Sequence, residues 1–206
     1  NSILPVVSEE AIWVIEDAAC ALGAQTDSGP VGTLGEMGVF SFHPRKSITT
    51  GEGGCVVTKD KQLDEKLRSL RNHGQSMEQG KRSFGNCGWN YRLTEFQGAL
   101  GNVQLTRFPK MLLHRQRIAE WYHEYLIDLE EVRLPELDES HTWQTFMTVL
   151  NSSISRDSLV VAMKSKGVES SMGAFAAHSL PSFNSANTTL TDSCPVSTEL
   201  YQQGLA

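Results

Sequence analysis

Along this chain, short continuous apolar runs alternate with helical stripes, separated by long polar stretches rich in glycine. Ala11 to Glu16 is an apolar run ended by acids. Its β-branched and aromatic content predicts a strand buried on both faces, as in a parallel α/β sheet. Asp17 falls at its carboxyl end, where ligands of open α/β sheets sit; capping the next turn is an equally good use for that carboxylate. Gly23 to Gly38, with five glycines, reads as a loop leading to a second strand, Val39 to Phe42, which His43-Pro44 stops. After Gly51, Gly53 and Gly54 come a third strand, Cys55 to Thr58, and an amphipathic helix over Lys61 to Arg71, with Leu63, Leu67 and Leu70 at helical spacing.

Asn72 to Tyr91 is polar and without an apolar period, so it reads as a long loop. Thr94 and Gln97 have the spacing of a capping box, which starts a helix through Ala99, Leu100, Val103 and Leu105. Pro109 is expected to interrupt it, and a longer helix is predicted from about Lys110 to Glu130, with Ile118, Trp121, Tyr122 and Tyr125 as a packing stripe. The remainder predicts a strand over Thr142 to Leu150, a helix opened by Ser155 and ended by Gly167, and a second strand over Val168 to Ser171. A loop over Ala174 to Pro195 and a last helix from Pro195 to Gln203 follow. Strand, loop, strand, strand, helix indicates an α/β first part; strand, helix, strand indicates a small α+β second part. Ile3 to Glu10 reads as the last turns of a helix whose beginning is absent, and Gly204 as a helix-terminating glycine with the next element absent. The expectation is a fragment of a longer protein.

Composition narrows the function classes. A net charge of -6 with scattered basic residues argues against nucleic acid. No apolar run approaches the roughly 20 residues that span a bilayer. Cys20, Cys55, Cys87 and Cys194 are far apart, which suits reduced thiols of a cytoplasmic protein rather than a disulfide framework or zinc site. The six histidines lack metal spacing. Asn151-Ser152-Ser153 and Asn187-Thr188-Thr189 match glycosylation sequons without a secretion signal to give them meaning.

The chemistry concentrates at Phe40 to Gly54. A lysine just past a buried strand can project into a cleft, and glycines let backbone approach a bound group; a solvated surface lysine is the commoner alternative. Lys46 and Asp17, at the ends of two neighbouring strands, suit pyridoxal phosphate. That cofactor needs an amine for its imine and a carboxylate for its ring nitrogen, with hydroxyls such as Ser41 for its phosphate.

Five ordered segments then match one family: Glu16 to Ala24, Val31 to Gly35, Phe40 to Gly54, Leu70 to Gly74 and Asn90 to Gly101, with weaker likeness at Gly167-Val168-Glu169 and His178 to Pro181. The chain resembles the nucleotide-sugar aminotransferases of the DegT/DnrJ/EryC1/StrS family. The resemblance implies a partial aspartate aminotransferase-like α/β large domain over residues 1–108. A connecting helix and part of a small α+β C-terminal domain would occupy 109–206, with the N-terminal part and the extreme C-terminus missing. It implies pyridoxal 5'-phosphate as cofactor, Lys46 as Schiff-base lysine and proton shuttle, and Asp17 on the pyridine nitrogen. Ser41 would contact the phosphate, and Cys20 would lie near the ring oxygen, where many members have Gln or His. Asn90 would reach the phosphate of a neighbouring subunit's cofactor, hence a homodimer with shared sites. The implied substrates are a keto-sugar nucleotide and an amino-acid donor, usually glutamate. A related sugar dehydratase has histidine at the lysine position, with His43 three residues from Lys46, and some relatives are regulators.

Overall fold

The computed structural model describes residues 3–9, 12–184 and 194–206. They divide into two compact units, residues 1–116 with 139–144, and 117–138 with 145–206.

The first unit begins with helix α1 (Ile3–Glu9) and is built on a sheet of β1 (Ile15–Asp17), β4 (Met37–Ser41) and β5 (Gly54–Val57) in the order β1-β4-β5. β1 runs parallel to β4, with Asp17 opposite Val39; β5 returns antiparallel, with Ser41 opposite Gly54. β1 is shorter than the apolar run suggested, and Ala11 lies outside the described residues. It is also not covered on both faces: Ile12, Trp13 and Ile15 are more than half exposed. Burial in this unit centres instead on Ala18, Phe40 and Ile48. Gly38, within β4, has no room for a side chain: a Cβ there would lie 2.0 Å from the carbonyl oxygen of Gly32.

Two stretches expected to be loops contain hairpins. Within 23–38, β2 (Gln25–Thr26) pairs with β3 (Gly29–Pro30). Within 72–91, β6 (Gln75–Glu78) pairs with β7 (Lys81–Phe84) through Gln79 and Gly80, both at positive φ, as a primed two-residue turn requires. Gln is a weak signal for that turn, and neither strand carries an apolar alternation. Helix α2 (Lys61–Leu70) forms as expected, its first turn closed by Asp60, which accepts the N–H groups of Gln62 and Leu63 at 2.7 and 3.0 Å.

Helix α3 (Glu95–Leu126) corrects the reading of Pro109: one 32-residue helix passes through it. A proline removes a single rung, and the turns on both sides supply enough others to carry the helix across. The capping box is present: Gln97 Oε1 accepts the Thr94 N–H at 3.0 Å, and Thr94 Oγ1 accepts the Gln97 N–H at 3.3 Å. The aromatic stripe is only partly packed. Tyr122 stacks on Phe146 with ring centroids 5.1 Å apart, whereas Tyr125 is 77% exposed.

The second unit holds an antiparallel sheet of β8 (Val132–Arg133), β9 (Thr148–Leu150) and β10 (Gly204–Leu205), in the order β10-β9-β8. The strand expected over Thr142 to Leu150 is confined to β9, whose three residues are all buried. Ser155 caps helix α4 (Arg156–Ser165), and Gly167, at φ 80°, follows its end. Val168 to Ser171 forms no strand; pairing falls slightly later, at a Met172–Leu205 bridge flanked by two Ser171–Ala206 hydrogen bonds. A 3-10 turn (Ala177–Ser179) and helix α5 (Pro181–Asn184) lie in the expected loop, while Asn187-Thr188-Thr189 falls outside the described residues. Helix α6 (Pro195–Gln203) matches its expectation, but Gly204 leads into β10 with extended backbone instead of a left-handed terminus.

Candidate active site

The loop between β4 and β5 carries Lys46, and the fold ties that loop down at several points. The Phe42 N–H donates to the Gly53 carbonyl at 2.8 Å and the Thr50 N–H to the Phe42 carbonyl at 3.1 Å, which closes the loop on its own base. Thr49 Oγ1 donates to the same Phe42 carbonyl at 2.9 Å. Three glutamine side chains hold it from outside: Gln97 donates to the Glu52 carbonyl, Gln144 donates to the Arg45 carbonyl, and Gln104 accepts the Thr49 N–H. Within the loop, Ser47, Ile48 and Thr50 are themselves buried. Gly53, at φ 145°, has a reason internal to the fold: an added Cβ would stand 2.7 Å from Thr50 Oγ1. Gly54 lies in the β4–β5 ladder, where a Cβ would meet the Phe40 carbonyl oxygen at 2.6 Å.

Lys46 is half-buried, not a fully solvated surface lysine. Its Nζ lies 2.8 Å from Cys20 Sγ, so the structure brings these two residues into contact across 26 positions of sequence. Among the described residues no carboxylate lies within ion-pair distance of Lys46. Asp17 ends β1 on the strand beside β4, and its Oδ1 accepts the Ala19 N–H at 3.1 Å. The turn-capping role expected as an alternative is therefore present, and among the described residues it engages one oxygen. Ser41, at the end of β4, accepts the His43 N–H on its hydroxyl oxygen at 3.3 Å, which leaves the hydroxyl hydrogen for another acceptor. His43 Nδ1 accepts the Arg45 N–H, and its other nitrogen stands 4.0 Å from a Glu52 oxygen.

Asn90 is placed by a different set of contacts. Its backbone bridges to Asn72, next to the His73 N–H bond to the Trp89 carbonyl. No hydrogen bond among the described residues joins it to Lys46, Asp17, Cys20 or Ser41. That segment borders a cleft of about 770 Å³, lined by Arg71, Trp89, Tyr91 and Arg92 together with Glu52 and Gly53 of the lysine loop.

Glu16 emerges as an organising residue. It precedes Asp17 on β1, and its carboxylate accepts three backbone N–H groups: Gly32 at 2.7 Å, Leu34 at 2.6 Å and Gly35 at 2.8 Å. Burial works to raise its pKa, but the N–H groups of Gly35, Gly32 and Leu34, with the Lys59 ammonium, outweigh it and hold the carboxyl below its ordinary value. The Val31 to Gly35 segment is thus wrapped around a carboxylate. The signal in the sequence was an acid closing an apolar strand run ahead of Asp17.

Comparison with known proteins identifies the family of the chain. The chain matches the DegT/DnrJ/EryC1/StrS aminotransferase family over residues 1–206. It is 37% identical over 189 residues to the GDP-perosamine synthase of Caulobacter vibrioides, covering 89% of this chain and 50% of that protein. It is 35% identical over 173 residues to the UDP-N-acetyl-3-dehydro-alpha-D-glucosamine 3-aminotransferase of Acidithiobacillus ferrooxidans, covering 82% of this chain and 45% of that one. The crystal structure of the aminotransferase TlmJ from Streptoalloteichus hindustanus superposes with a TM-score of 0.87 at 25% identity, over 99% of this chain and 55% of that one. The chain therefore belongs to the DegT/DnrJ/EryC1/StrS aminotransferase family, and its fold is part of an aminotransferase fold. It spans about half the length of the curated relatives it matches.

The family's cofactor is pyridoxal 5'-phosphate. The donor set suits it: a half-buried amine with only a weakly hydrogen-bonding thiol beside it, a carboxylate with one oxygen uncommitted, and a serine hydroxyl free to donate.

Proposed function

We propose that the protein to which this chain belongs transfers an amino group, from glutamate, to a keto-sugar nucleotide in the cytoplasm. The observation that carries this reading is the placement of Lys46 Nζ against Cys20, just past the strand that bears Asp17, with no carboxylate among the described residues to sequester the amine. The names of the relatives support sugar amination as the class of reaction.

When bound, the cofactor supplies an electron-withdrawing ring and an aldehyde carbon that exchanges amines. Lys46 would hold the cofactor through its amine and, when that amine is free, would move a proton to and from the substrate carbon as general base and acid. Asp17 keeps a proton on the ring nitrogen by placing a negative charge beside it. Ser41 would donate to the phosphate, and Cys20 would lie near the ring oxygen. Asn90, on a segment remote in contacts from these groups, serves the cofactor phosphate of a second subunit, so the active form is a homodimer with shared sites. Residues 1–108 supply the later part of the cofactor-binding domain, and 109–206 the connecting helix and part of the small domain.

Lysine rather than histidine at this position favours amination over dehydration, and His43 is engaged with the Arg45 backbone and faces Glu52. The test adds pyridoxal 5'-phosphate to the wild type and to Lys46→Ala. The wild type is expected to develop a yellow band that borohydride reduction fixes on Lys46, and Lys46→Ala to lack it. A band of wild-type intensity in Lys46→Ala would overturn the assignment. With the full-length protein, a panel of keto-sugar nucleotides and glutamate identifies the substrate.

A further inference from the structure

We propose that Cys20 and Lys46 are an oxidation-dependent modification site, at which Cys20 Sγ becomes covalently bonded to Lys46 Nζ. The two atoms stand 2.8 Å apart, and both are held by backbone. Lys46 sits on the closed loop described above. Cys20 follows a turn fixed by the Ala21 N–H to Ala18 carbonyl bond at 2.9 Å and by the Asp17 side chain on the Ala19 N–H. Cys20 is solvent-exposed and so open to small oxidants. No carboxylate competes for the amine among the described residues, and rotation about the unbranched lysine stem closes the remaining gap.

Cys55 and Cys87 differ from Cys20 in this respect. Cys55 is half-buried, and burial pushes its pKa up, which keeps it in the less reactive thiol form. Cys87 is exposed, but no hydrogen bond to an amine is present at its sulfur among the described residues.

The oxidant is a hydroperoxide, and the chemistry balances with one equivalent. The Cys20 sulfur attacks a peroxide oxygen, the O–O bond breaks, sulfur is oxidised to the sulfenic acid and the peroxide is reduced to water. The Lys46 amine, once it has given its extra proton to solvent, then attacks sulfur with its lone pair. The S–O bond breaks, and the leaving hydroxide takes a proton from nitrogen as a second water. One thiol, one amine and one hydrogen peroxide thus become a sulfenamide and two waters. An added thiol attacks the sulfur and expels the amine, and a second thiol completes the reduction. While the bond lasts, Lys46 has no amine to offer. That consequence, though not the bond itself, rests on the functional reading of Lys46.

The experiment treats the protein, without added cofactor, with equimolar hydrogen peroxide, and follows intact mass and peptide maps. A Cys55→Ser, Cys87→Ser, Cys194→Ser variant leaves Cys20 as the sole thiol; the wild type, mapped in parallel, serves should that variant fail to fold. The expected product is a monomer two hydrogens lighter, with the Cys20 and Lys46 peptides joined, reverted by dithiothreitol. Lys46→Met is expected to gain oxygen on Cys20 instead. Oxygen on Cys20 without linkage while Lys46 is present, or linkage to a different lysine, overturns the proposal. Pyridoxal 5'-phosphate is then added to the linked protein: no yellow band, and its return after dithiothreitol, is expected. If the link forms and the band still appears, the role of Lys46 fails while the modification site stands.

Discussion

Replacing Glu16 by glutamine tests whether a carboxylate organises the segment next to Asp17. Glu16 Oε1 accepts from Leu34 and Gly35, and Oε2 accepts from Gly32. Glutamine keeps one acceptor oxygen, so two bonds weaken from charged to neutral, and the NH2 group then confronts a backbone N–H. Bonds to a charged acceptor are worth about 1.5–3 kcal/mol and neutral ones about 1 kcal/mol. The side chain is half-buried, so solvent screening reduces the sum, and a loss of about 2 kcal/mol is expected. Residue-resolved amide hydrogen exchange reads this directly: the Gly32, Leu34 and Gly35 amides should exchange about 30-fold faster in Glu16→Gln at neutral pH. The sign of the pH dependence follows from the depressed pKa. The carboxylate contributes fully above its unfolded value near 4.5, and that contribution is lost as pH falls through the lower folded value. Stabilities of wild type and variant, from urea unfolding, should therefore converge as pH drops below 4.5. Unchanged protection of these three amides, or a difference that persists in acid, would refute the reasoning.

Other perturbations probe the scaffold of the lysine loop and the long helix. Gly53→Ala forces a Cβ against Thr50 Oγ1 at φ 145° and should cost about 1–3 kcal/mol, more than Gly51→Ala, where the space is open; urea midpoints of the two variants check the order. Thr94→Ala removes the acceptor for the Gln97 N–H and should cost about 1 kcal/mol, read as a lower thermal midpoint. Pro109→Ala restores a helix rung in α3 and should stabilise the chain, by up to about 3 kcal/mol; a lower midpoint would show that the proline is needed where it stands.

Local signals in the sequence were reliable where a side chain acts on backbone within a few residues. Thr94 with Gln97, Ser155, and the leucine spacing of α2 all did what their positions imply. Signals that depend on distant partners were not. The Ala11 to Glu16 run looks like a doubly covered strand, but covering is supplied by other segments, and Trp13 and Ile15 remain exposed in this chain. The β6–β7 hairpin escaped notice because its polar strands carry no alternation and its turn uses Gln79 at positive φ.

The candidate site divides along the same line. By itself the sequence determined the family, through ordered motifs at Glu16, Val31, Phe40, Leu70 and Asn90, and with it the cofactor and the expected roles of Lys46 and Asp17. Only the tertiary structure decided that Cys20 touches Lys46, that Glu16 binds three amides, and that three glutamines from distant positions hold the lysine loop. The physical reason is that a hydrogen bond is specific to within a few tenths of an ångström. Spacing along the chain carries that precision only across a helical turn or a strand pair, and everything longer waits for the fold.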